Sequence, residues 1–82
     1  MEEKPIGKVI HYYDKIGVAV IKLEKGVKVG DKLNLVRDDS SFEQIIGSMQ
    51  LEHKTISEGK AGQEVAVKVD QAAKEGTLVY SV

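Results

Sequence analysis

The chain has 82 residues, no cysteine, and 12 basic against 13 acidic side chains, so its net charge is close to zero. That length predicts one domain over residues 1–82, burying only about 60–65% of the surface its unfolded chain exposes. The composition excludes disulfide staples and Cys/His metal staples, and it disfavours tight, purely electrostatic binding to nucleic acid.

No segment repeats apolar residues at helical spacing for three turns. Period-2 runs separated by glycine or charged turns recur every ten or so residues and predict short antiparallel strands. The first run, residues 6–13, has Val9 and Tyr13 on one side with His11 between them, and Asp14 and Lys15 form a turn. The second, residues 16–23, is apolar on both sides, so it is covered on both or meets another surface. Gly17 within it predicts a bulge, a bend or a close backbone approach. In "EKGVKVGDKLNLV", Gly26 and Gly30 supply positive φ for tight turns, and Leu33 and Leu35 alternate with polar residues in a third strand. A turn is expected at residues 38–41.

The fourth run covers residues 42–52, and its parity slips. Phe42 and Ile46 share one side, Ile45, Met49 and Leu51 the other, which predicts a β-bulge near Gly47 and Ser48. Residues 64–69 alternate cleanly as a fifth strand. "DQAAKEGT" holds one helical turn or a wide loop, and residues 78–82 close the chain as a sixth strand. Six short strands on a thin core predict an all-β fold, a small closed six-stranded antiparallel barrel.

The chemistry-bearing residues are few. His11 and His53 sit in no ligand motif, so no metal is expected. G-x-S-x-G, G-x-x-x-x-G-K-[ST] and G-x-G-x-x-G are all absent, so neither a catalytic nucleophile, a nucleotide nor a cofactor is expected, and the chain is read as no enzyme. In "KVIHYYDK", Lys8, His11, Tyr12 and Lys15 around Tyr13 come closest to a base-stacking surface. The competing reading packs one tyrosine inward and leaves the other on the strand. Lys25, Lys28 and Lys32 read as a solvated rim. The longest apolar stretch, residues 16–21, is too short to span a bilayer, and "MEEKP" lacks a signal-peptide pattern, so a cytoplasmic location is expected.

Three stretches also carry a resemblance. "LEKGVKVGDKLNLV", "IIGSMQLEH" and "SEGKAGQEVAVKV" come in the order and spacing of the second domain of translational GTPases such as elongation factor Tu. The chain resembles a free-standing copy of that domain, matched over residues 17–69. The resemblance implies a six-stranded barrel whose pocket receives the aminoacylated 3′ end of tRNA. Gln50 matches the family's glutamate near the terminal adenosine. Glu64 matches an asparagine that contacts the aminoacyl group, and it places a negative charge where the family has a neutral donor. The expected function is a non-catalytic, translation-factor-like module binding tRNA or ribosome-associated RNA. Lys8, His11, Lys15, Gln50, His53, Lys54, Lys60 and Glu64 would form the RNA-binding set. The alternative is a protein-interaction barrel, its partner seated on the apolar strand from Ile16 to Ile21.

Overall fold

The computed structural model describes residues 4–38 and 40–81. Residues 1–3, Asp39 of the expected 38–41 turn, and Val82 of the expected last strand lie outside the described residues. The described chain is all-β and antiparallel, with no helix. Its strands are β1 Gly7–Tyr13, β2 Val18–Leu23, β3 Val27–Lys28, β4 Lys32–Arg37, β5 Ser40–Ile45, β6 Met49–Leu51, β7 Lys54–Ile56, β8 Glu58–Gly59, β9 Glu64–Lys68 and β10 Leu78–Ser81. Eight of them form one sheet in the order β5-β4-β10-β1-β2-β9-β6-β7, and β3 pairs with β8 alone.

The alternating runs become strands because alternate side chains leave a pleat on opposite faces. Ala19, Ile21 and Leu23 of β2, Leu33 and Leu35 of β4, and Val65 and Val67 of β9 are all buried. The register sets Ala19 opposite Val67 and Ile21 opposite Val65, and Met49 of β6 also faces Val67. Residues 70–77 form the wide loop rather than the helical turn. Ala73 is buried there, and the Thr77 hydroxyl donates to the Lys74 carbonyl at 2.6 Å.

Two register changes depart from expectation. The run over residues 42–52 divides: β5 pairs with β4, whereas β6 pairs with β7 and β9. Its parity does slip near Gly47 and Ser48, but by a change of partner strand and not by a bulge. The bulge lies in β1, where pairing passes from Val9 with Ile21 to His11 with Val20 and skips Ile10. That extra residue reverses the parity. Tyr12 therefore packs against the core and Tyr13 stands 47% exposed, so Val9 and Tyr13 do not share a side.

Glycine roles also sort differently. Gly17 bends the chain at φ 65° just before β2, and its carbonyl accepts the Val69 N–H at 2.8 Å. Gly30 takes φ 97°, while Gly26 does not enter the left-handed region. A Cβ on Gly26 would instead stand 3.3 Å from the Gly59 carbonyl oxygen.

Ten strands replace the expected six, and among the described residues no ladder joins the two sheet ends, β5 and β7. The sheet curls until the two sides of a seam meet through a side chain. Gln44, 8% exposed, accepts the Asp70 N–H on Oε1 at 2.8 Å and donates from Nε2 to the Ile45 carbonyl at 3.0 Å. Nearby, the Val29 N–H donates to Ser57 O and the Gly30 N–H to Ile46 O, both at 2.8 Å.

Candidate functional site

With Ala19, Ile21 and Leu23 turned inward, β2 must present Val18, Val20 and Lys22 outward. Pairing extends these residues into rows across the outer face. Tyr13, Val18 and Lys68 make one row, and His11, Val20, Ala66 and Gln50 the next. Lys8, Lys22 and Glu64 form a charged border. The bulged Ile10 is 38% exposed and Ile16, in the turn before β2, is 62% exposed, while Val18, Val20 and Ala66 stay half-buried. The result is a contiguous aliphatic and tyrosine surface with lysines around it. Exposed apolar patches of this kind are candidate contact surfaces.

The eight residues proposed from sequence for RNA are dispersed. Lys8, His11, Gln50 and Glu64 lie in the rows just described, and Lys15 is exposed in the β1–β2 turn. Glu64 stands opposite Lys22 across the ladder, both exposed. The His11 imidazole lies 4.4 Å, centroid to centroid, from the Tyr13 ring, with Nδ1 3.4 Å from Glu75 Oε2. His53 and Lys54 belong to the β6–β7 hairpin, where Leu51 pairs with Lys54 around a two-residue turn. Glu52 and His53 take φ 51° and 67° there, so His53 serves a turn that glycine or asparagine would form with less strain. The Lys60 N–H donates to Gln63 Oε1 at 2.8 Å in another turn. Of the eight, Lys60 alone borders any of the five main hollows among the described residues, and it borders two of them.

Ile10, Ile45 and Gln44 carry surface and seam roles that sequence reasoning missed. The available signals were the adjacent apolar pair Val9-Ile10 and a glutamine at an inward position of β5. Among the described residues no group of three or more His, Cys, Asp or Glu side chains is placed to hold a metal ion, and no helix is long and apolar enough to cross a membrane.

Fold and surface together define a small antiparallel β-fold with an apolar patch on its outer face. Two crystal structures, native and selenomethionine forms, show this fold in the C-terminal domain of a Geobacillus thermoleovorans protein assigned as a U32 peptidase. Both superpose with a TM-score of 0.88 at 19% identity; the native form covers 98% of this chain and 92% of its own, the selenomethionine form 94% and 98%. At that identity the likeness is one of fold. In sequence, the chain is 36% identical over 76 residues, 92% of its length, to a protein of Methanocaldococcus jannaschii named an uncharacterised protease. It spans 19% of that protein's length. No protein-family model matches the chain.

These findings overturn the resemblance to the second domain of translational GTPases, and with it the translation-factor-like function. The stretches that carried it serve local geometry. In the first, Gly30 makes a left-handed turn. In the second, residues 45–53 pass from one partner strand to another and enter the β6–β7 turn. In the third, Gly59 lies where a Cβ would meet Leu23 and Val65. Tight connections between antiparallel strands need such residues whatever the domain binds. The ground for tRNA or ribosomal RNA as partner goes with the resemblance.

Proposed function

We propose that this chain is a non-catalytic β-module of a U32-type protease system, docking through the outer face of β1, β2 and β9. The occupant is the remaining polypeptide of such a protease, which makes up about four-fifths of the M. jannaschii relative. The observation that carries the reading is the uncovered apolar face formed by Ile10, Tyr13, Ile16, Val18 and Val20. The non-catalytic role is supported by the lack of a nucleophile motif in the sequence. Among the described residues the side chains that meet His11 are a tyrosine ring and a carboxylate, not a serine or cysteine placed as a nucleophile.

Calorimetry should test this with the chain and the part of the M. jannaschii relative outside the matched 76 residues. The expected result is one-to-one binding that weakens at least about ten-fold in the Ile16→Asp/Val20→Asp variant, the usual scale for charging the centre of an apolar contact. Absence of binding, or equal binding by the variant with its fold intact by circular dichroism, would sink the proposal.

A further inference from the structure

The seam suggests a second site centred on a different strand, β5, which meets the docking face at Lys68. Among the described residues β5 is a terminal strand paired only with β4. Beyond its end, the Ile46 N–H donates to Asp31 O at 2.9 Å, which continues the β4–β5 ladder. Backbone groups alternate sides along an antiparallel strand, so Phe42 and Gln44 aim theirs at β4, and Ser41, Glu43 and Ile45 aim theirs away. The Gln44 amide corroborates this alternation, because it reaches the Ile45 carbonyl from the seam side.

That amide stands in for one rung of an absent strand. It supplies a donor to the edge of β5 and an acceptor to Asp70, across a gap that no ladder fills among the described residues. On one side of this bridge lies a hollow of about 540 Å³ bordered by Glu43, Ile45, Gly47 and Lys68. On the other lies one of about 360 Å³ bordered by Ser41, Phe42, Gln71 and Lys74. Among the described residues no strand pairs with the side of β5 to which the N–H and C=O of Ser41 and Glu43 and the N–H of Ile45 point.

Sheet edges are ordinarily protected by shortness, proline or lysine. The opposite end, β7, has three residues and begins with Lys54, whereas β5 runs six residues with neither lysine nor proline. The Glu43 carboxylate is held by Lys32 at 3.0 Å, and Ile45 is 57% exposed beside it on the outer face. We propose that the edge of β5 receives an extended polypeptide segment by antiparallel strand addition. Its recognition elements are a Lys or Arg opposite Glu43 and an aliphatic residue opposite Ile45. A second copy of this chain is the poorer occupant, since two β5 strands paired about Glu43 would set like carboxylates face to face.

The test uses the full chain and a capped heptapeptide of threonines with one valine and, two residues C-terminal to it, one lysine. In titrations followed by NMR, the Ser41, Glu43 and Ile45 amides should shift together and exchange more slowly with solvent. N-methylation of the peptide amides that face β5 should abolish binding. Replacing the peptide lysine by glutamate should weaken binding about three-fold, and Glu43→Lys should reverse that preference. The inference is overturned if shifts map elsewhere, if the N-methylated peptide binds equally well, or if millimolar peptide leaves these amides unchanged.

Discussion

Gly59→Ala isolates the packing of the core in a single methyl group. Gly59 closes the short β3–β8 ladder opposite Val27 and is itself buried. A Cβ there would stand 2.7 Å from Leu23 Cδ1, 3.1 Å from Val65 Cγ1 and 3.6 Å from Met49 Sδ. Leu23, Val65 and Met49 are all core residues with almost no exposure, so the two close contacts cannot both relax into solvent. Overpacking of this kind costs about 1–3 kcal/mol. Alanine also restricts the unfolded chain, which returns about 0.4–1 kcal/mol at a position whose φ is not left-handed. The net expectation spans about 0–2.6 kcal/mol and centres on a loss of about 1.3 kcal/mol, or a fall in Tm of roughly 5–10 °C for a chain of this size. Urea and thermal unfolding followed by circular dichroism measure it directly. Gly7→Ala should cost more, because its Cβ would meet the Lys22 carbonyl oxygen at 2.9 Å as well as Ile21 Cγ2 at 2.8 Å, and backbone yields less readily than a rotamer. A Gly59→Ala protein more stable than the parent would refute this account of the core, because the overpacking cost is at least as large as the return from the unfolded chain.

Gln44→Leu removes the side-chain rung of the seam and strands the Asp70 N–H and Ile45 carbonyl, so unfolding should show a loss of about 1–3 kcal/mol. Faster hydrogen exchange at Asp70 should accompany it. Met49→Ala, which empties a fully buried site between β7 and β9, should cost about 2–5 kcal/mol in the same assay. Glu52→Asn/His53→Gly suits the positive φ of both turn residues and should raise stability by about 0.5–1 kcal/mol, read as a higher urea midpoint. Lys32→Met breaks an ion pair whose two side chains are about half exposed, and its unfolding midpoint should move by no more than about 1 kcal/mol.

Much of the strand content was legible in the chain because a half-buried pleat imposes a period of two. Ala19, Ile21 and Leu23, Leu33 and Leu35, and Val65 and Val67 alternate in the sequence and are buried in the fold. The strand expected at residues 42–52 shows where such reading stops. Its parity slip was visible between Ile46 and Met49, yet a bulge and a change of partner leave the same trace in a linear pattern. Only the pairing of β5 with β4 and of β6 with β9 separates them. The β1 bulge was hidden for the opposite reason. Val9, Ile10, Tyr12 and Tyr13 are all apolar enough for either face, so the pattern could not say which residue was the extra one.

The candidate surfaces divide along the same line. That residues 16–21 had apolar side chains to spare was written in the chain, since β2 cannot turn Val18, Val20 and Ile21 all to one core. Which of them face outward, and that Ile10 and Tyr13 join them, depended on register with β1 and β9. The seam left still less trace. Residue 44 and residue 70 are far apart in sequence and meet only because the whole sheet curls, so the pairing of Gln44 with Asp70 is a product of tertiary geometry. Local alternation and turn chemistry act over a few residues and can be read in order along the chain. Partner choice, register and closure are set by contacts between distant segments, and those exist only in the folded molecule.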